Sequence, residues 1–175
     1  VGEEVTCTAN VSDSNGGQAS SSSGVTILNR SPSIDSISVS PNSPSTSAAL
    51  TCQAITSDLD GDAVTVSYSW TVNGSILGTQ SILELQPSLV SPQDLVTCSV
   101  TATDSAGDSV VASQDVQVQN TAPVIDSLIL NPSTVYVSDT VECLVSASDV
   151  DLEILSYQLT LEDGAGQMLA SSSQS

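Results

Sequence analysis

The sequence predicts an all-β protein built from repeated seven-stranded β-sandwiches, and three observations lead there. The first is an internal repeat. Cys7 and Cys98 are 91 residues apart, as are Cys52 and Cys143, and a shift of 91 lays residues 1–62 on 92–153 without a gap. Val5-Thr6-Cys7 then falls on Val96-Thr97-Cys98, Asn29 on Asn120, and Pro32-Ser33-Ile34-Asp35-Ser36 on Pro123-Val124-Ile125-Asp126-Ser127. The second is an apolar period of two in short runs bounded by Pro, Asn, Asp and Gly, the pattern of half-buried strands. The third is composition: 39% of the chain is hydrophobic without a single Phe, and the apolar residues are mainly Val, Ile, Leu and Ala. Their regular placement separates the chain from an acidic disordered one.

The repeat divides the chain into residues 1–29, the C-terminal half of one unit; 30–120, a complete unit; and 121–175, the N-terminal half of a third. Within the complete unit, Ile34–Ser40 alternates and ends at Pro41-Asn42-Ser43-Pro44. Ala48–Thr56 follows, and Asp60-Gly61-Asp62 turns the chain into Ala63–Val72. Asn73-Gly74 is a hairpin signal, placing a short strand near Ile76. Ile82–Leu85, Asp94–Thr103 and Ser109–Gln119 complete seven strands, a density that suggests a β-sandwich.

Cysteine phase adds detail. Leu50, Cys52 and Ala54 share one face of their strand; Val96, Cys98, Val100 and Ala102 share one face of theirs; Trp70 lies on a strand between them. This Cys…Trp…Cys order resembles the immunoglobulin fold, in which a disulfide joins two strands across the sandwich and a Trp packs on it. The resemblance implies an Ig-like bridge between Cys52 and Cys98 within the unit and one between Cys7 and Cys143 of adjoining copies, with reduced, buried thiols as the alternative. The stretch Asp58-Leu59-Asp60-Gly61-Asp62…Tyr68-Ser69-Trp70-Thr71-Val72-Asn73-Gly74, with Thr121-Ala122-Pro123 at the unit boundary, is similar to the tandem Ig-like and PKD-like repeats of large bacterial extracellular surface proteins. That likeness implies beads stacked into stalks, adhesins or fibres.

Charge narrows the function classes. Twenty acidic residues face one basic residue, Arg30, with no Lys or His, for a net charge of −19. Nucleic acid and anionic membranes are recognised through Lys and Arg, so neither is an expected partner, and no apolar run is long enough for membrane insertion. Without His or Lys, acid–base and nucleophilic chemistry would rest on carboxylates, hydroxyls and thiols; the chain is not expected to be an enzyme. Asp58, Asp60 and Asp62 set three carboxylates at alternate positions of a Gly-containing turn, a spacing suited to Ca²⁺, and Asp104 and Asp108 would join them only if the fold brings the two loops together. In the repeat, Asp149 and Asp151 recur but Gly61 becomes Leu152, which weakens that copy; the plain reading of both stretches is a solvated acidic turn. Asn10, Asn29 and Asn73 head Asn-x-Ser sequons, candidates for glycosylation.

The function expected from these readings is a structural, non-catalytic, extracellular fibre or stalk module. Each half-unit is completed by an adjoining copy, in a covalent tandem or as a head-to-tail subunit. The alternative is an adhesin-type module that recognises a cell-surface or matrix ligand through its loops.

Overall fold

The computed structural model describes residues 2–174. They form thirteen strands and, among the described residues, no helix: β1 Glu4–Ser12, β2 Gln18–Thr26, β3 Ser33–Ser40, β4 Ala49–Ser57, β5 Thr65–Val72, β6 Ser75–Gly78, β7 Ile82–Glu84, β8 Leu95–Thr103, β9 Ser109–Gln117, β10 Val124–Asn131, β11 Glu142–Ser148, β12 Tyr157–Glu162 and β13 Met168–Gln174. Five small sheets result: β1-β2, β3-β4-β7, β6-β5-β8-β9, β10-β11 and β12-β13, all with antiparallel pairing.

Seven strands occupy the stretch from Ser33 to Gln117, where seven runs were expected. The boundaries agree to within one residue except two, which differ by two residues for local reasons. β5 begins at Thr65 rather than Ala63 because the Asp58 carboxylate accepts the backbone N–H of Asp62, drawing that residue into the preceding loop. β9 ends near Gln117 because the chain then leaves β8: Val118 still donates to Asp94 O, and Gln119 turns to Pro44 O. The hairpin at Asn73-Gly74 forms as expected, with φ of 49° and 80°, the two positive values a type I′ turn requires.

The three-stranded and four-stranded sheets pack on one shared core. Leu50 and Cys52 of β4 meet Trp70 and Val72 of β5 and Val96, Cys98 and Val100 of β8, with Leu83, Leu85, Val90, Val116 and Val118 closing the edges. Trp70 is 0% exposed, and its indole N–H donates to Gln80 O at 2.8 Å, which satisfies the one polar atom the ring buries. Cys52 and Cys98 are disulfide-bonded across the two sheets, Cα atoms 6.5 Å apart.

The 91-residue period is legible in the backbone. β1 and β2 have the bounds of β8 and β9 shifted by 91, and the same pairing: Glu4 opposite Thr26 and Cys7 opposite Ser23, as Leu95 faces Gln117 and Cys98 faces Gln114. The β3–β4 ladder is broken between Ile34 and Ser36, and β10–β11 between Ile125 and Ser127. At each break a serine hydroxyl, Ser57 or Ser148, donates to the skipped aspartate, Asp35 or Asp126, at 3.0 Å. β12 pairs with the strand that follows it, β13, as β5 does with β6, but through the longer turn Asp163–Gln167 and in a different register, and among the described residues after 120 no third strand joins β10-β11 as β7 joins β3-β4.

Among the flanking strands, β1–β2 has no opposed sheet, while β11 and β12 line two sides of one groove with rows that are only half-buried. Val5, Val11 and Val25 are more than half exposed, whereas Val96 is fully buried. Closing a 46-residue separation by a disulfide contributes about 4 kcal/mol by loop entropy. Replacing Cys52 and Cys98 together by Ala is therefore expected to lower the stability of the central stretch by about 4 kcal/mol. Denaturant unfolding followed by Trp70 fluorescence measures it; an unchanged midpoint would show that the bond constrains nothing.

Candidate metal centre

The loop between β4 and β5 is folded by its own first carboxylate. Asp58 Oδ1 accepts the backbone N–H of Asp60 at 2.8 Å and of Asp62 at 3.3 Å, and Gly61 takes φ of +81°, a region open to glycine. The turn collects Asp58, Asp60 and Asp62 so that one oxygen from each lies within 4.8 Å of the others.

Two further segments close on this loop. Arg30, at the start of the segment before β3, donates its backbone N–H to Asp60 Oδ2 at 2.7 Å, with its exposed guanidinium 3.3 Å from Oδ1. The turn between β8 and β9 is held by Asp104, whose Oδ1 accepts the N–H of Asp108 at 2.9 Å, with Gly107 at φ of +96°. Ser105 in that turn donates its hydroxyl to Asp62 Oδ1 at 2.7 Å. Asn29 spans the other side, its Nδ2 donating to Asp104 Oδ2 at 2.9 Å and to Asp108 Oδ2 at 2.7 Å. The fold thus brings both acidic loops to one end of the β3–β9 stretch, beside the residues that enter it. The close set is Asp58, Asp60 and Asp62; Asp104 and Asp108 are tied to it through Ser105 and the Asn29-Arg30 segment.

Three oxygens here are buried without a partner: Asp58 Oδ2, Asp62 Oδ2 and Asn29 Oδ1. A carboxylate oxygen withdrawn from water without a donor is costly. Hard divalent cations take carboxylate and amide oxygens, so the donor set could hold such an ion.

The arrangement recurs 91 residues later. Asp149, Asp151 and Glu153 form a second group with ligand oxygens within 4.8 Å. Asp151 is buried; its carboxylate accepts the backbone N–H of Thr121, the counterpart of Arg30, and the hydroxyl of Thr46. Leu152 holds φ of 61° where Gly61 has +81°, so the turn survives a residue that resists it. The copy is therefore more complete than Leu152 suggested. Two participants escaped the sequence reading. Glu153 lies 91 residues after Asp62 and was detectable by that spacing; Asn29 carried only the sequon signal.

Of the glycosylation candidates, Asn10 is exposed on β1 and Asn73 is exposed in its hairpin turn, its amide 3.2 Å from Asp94 Oδ1. The Asn29 amide nitrogen is engaged by two carboxylates, so a glycan there would break both hydrogen bonds. Cys7 is a free, exposed thiol and Cys143 a free, half-buried one. Among the described residues no helix is long and apolar enough to cross a membrane. No known protein family, curated protein or solved structure matches this chain.

Burial pushes the Asp104 carboxyl up, but the hydrogen bonds from Asn29 and from the backbone amides of Asp108, Gly107 and Ala106 outweigh it and hold its pKa below the ordinary 3.8. A carboxyl depressed on folding stabilises fully above its unfolded pKa and loses that contribution as pH falls through its folded value. The linker contact is therefore expected to be indifferent to pH from neutrality down to about 5 and to weaken only below the ordinary carboxylate range. Asn29→Ala should raise the Asp104 titration towards 3.8. Carbon-13 carboxyl NMR reads it directly, and an unmoved titration would remove Asn29 from that role.

Proposed function

We propose that the chain is a structural, non-catalytic module of an extracellular fibre or stalk, built from 91-residue immunoglobulin-like sandwiches. Residues 30–120 are one complete bead, and 1–29 and 121–175 are halves completed by adjoining copies. One observation carries the reading: the contact between a linker and the unit it enters occurs twice at the same spacing, Arg30 N–H to Asp60 and Thr121 N–H to Asp151. A module that repeats both its bead and its joint generates a linear array in which each unit contacts its neighbours. Short linkers, each fastened to the next unit through a backbone amide, limit bending, and the charge of −19 keeps arrays from clumping laterally. The disulfide supports an oxidising, extracellular location.

Ca²⁺ at Asp58, Asp60 and Asp62 serves this role by locking the linker end of the bead. The three buried, unpartnered oxygens beside Arg30 and Ser105 support it. A bound cation stabilises the folded state in proportion to its occupancy.

Calcium at about one hundred times its Kd should raise the stability of the bead by about 2.7 kcal/mol over the same protein in chelator, and Asp58→Asn with Asp60→Asn should abolish that difference. Thermal unfolding with and without chelator measures it. Small-angle scattering of the same samples should give an elongated particle. Equal midpoints would remove calcium from the account, and a compact particle would remove the fibre.

A further inference from the structure

Resting on the reading of the chain as a repeat array, we propose that the groove between β11 and β12 receives the β1–β2 hairpin of a second copy of this chain, and that a disulfide between Cys143 and Cys7 of the second copy locks the joint.

The groove is apolar and half-built. Val141, Cys143 and Val145 line one side and Leu159 and Leu161 the other, around two cavities of about 340 and 180 Å³ that share Leu159. The corresponding residues of the central stretch are Leu50, Cys52, Ala54, Trp70 and Val72. There the space is filled by the inward row of β8, Val96, Cys98, Val100 and Ala102, each 0% exposed. β1 carries the same row shifted by 91, Val5, Cys7, Ala9 and Val11, on a hairpin with the same bounds and pairing as β8–β9. In this chain that row has no cover: Val5 is 53% and Val11 64% exposed. One molecule therefore carries both a half-lined groove and the ridge whose counterpart fills that groove in its own centre.

The register follows from the central stretch. β8 pairs with β5 at Tyr68–Val100, Trp70–Cys98 and Val72–Val96. Carried over, β1 of the second copy adds to the free edge of β12 with Ala9 opposite Tyr157, Cys7 opposite Leu159 and Val5 opposite Leu161. Edge addition satisfies backbone groups that β12 otherwise presents unpaired. It also sets Cys7 beside Cys143 as Cys98 lies beside Cys52. The contact is heterologous, groove to ridge, so each copy offers both halves and the assembly grows head to tail.

The bond forms by thiol–disulfide exchange with a small-molecule disulfide such as oxidised glutathione. The Cys7 thiolate attacks it and releases one glutathione thiol; the Cys143 thiolate of the other copy then attacks the mixed disulfide and releases the second. The two cysteines lose two protons and two electrons, and the glutathione disulfide gains them as two thiols. The covalent lock matters because among the described residues no strand joins β10-β11 as β7 joins β3-β4, where Leu83, with Leu85 and Val90 after it, closes the central core.

The test is oxidation of the purified full chain with oxidised glutathione, using an equal mixture of nitrogen-14 and nitrogen-15 protein. The expected result is a non-reducing ladder at multiples of 17.7 kDa, with Cys7–Cys143 peptides of mixed label. Cys7→Ser should remove the ladder, and Val5→Asp with Val11→Asp should remove association altogether while Trp70 fluorescence reports an intact central bead. Cys7–Cys143 peptides of single label only, with none mixed, symmetric Cys7–Cys7 or Cys143–Cys143 links, or an oxidised monomer with both thiols free would each overturn the joint. Scattering separates the two readings: a monomer that is still elongated overturns the joint alone, whereas a compact one overturns the fibre as well.

Discussion

Everything in this structure depends on one constraint: a row of alternating apolar side chains is stable only when a second sheet presents a matching row. The central stretch meets it. Leu50 and Cys52 on one sheet face Trp70, Val96, Cys98 and Val100 on the other, and a disulfide bonds the two layers at the middle of that contact. The aliphatic core has one large ring and no Phe, so the bond and the Trp70 ring, anchored by its hydrogen bond to Gln80, carry much of the specificity. The flanking strands carry the same rows with the opposing layer missing at β1–β2 and incomplete between β11 and β12. That inequality within one chain, packed in the centre and open at both flanks, leads to the proposal that copies complete one another.

Electrostatics sets the second constraint. With one Arg for twenty acids, ion pairs cannot neutralise the carboxylates. The chain instead turns them towards backbone amides, as Asp58, Asp104, Asp149 and Asp163 each do within a turn. At the linker this device runs short: several carboxylates converge, and two of their oxygens together with an Asn29 oxygen are buried without donors. A cation is the simplest group that such a convergence accommodates, which is why the proposed calcium falls at the linker end of the bead.

The strands were legible in the sequence because a period of two and a 91-residue repeat specify phase and position independently. Phase alone put Cys52, Cys98 and Trp70 in one core. The site was less legible, for different reasons at different residues. Asp58, Asp60 and Asp62 are local, and their spacing announces them. Asp104 and Asp108 come near only through the tertiary approach of the β8–β9 turn, which Ser105 fastens to Asp62. Asn29 has no local signal because both of its partners are distant in sequence. Leu152 disguised the second copy of the turn: propensity argues against a left-handed Leu, yet the surrounding hydrogen bonds hold it at φ of 61°.

That one packed unit lies between two unfinished ones is read most simply by amide hydrogen exchange on the monomeric Cys7→Ser, Cys143→Ser chain, which keeps the Cys52–Cys98 bond. Protection reports the free energy of local opening. Strong protection is expected across β4, β5 and β8, little across β1, β2 and β10 to β13, and a rise in those flanking strands when copies associate. Uniform protection along the monomer would contradict it, because the flanking rows would then be packed without any second copy.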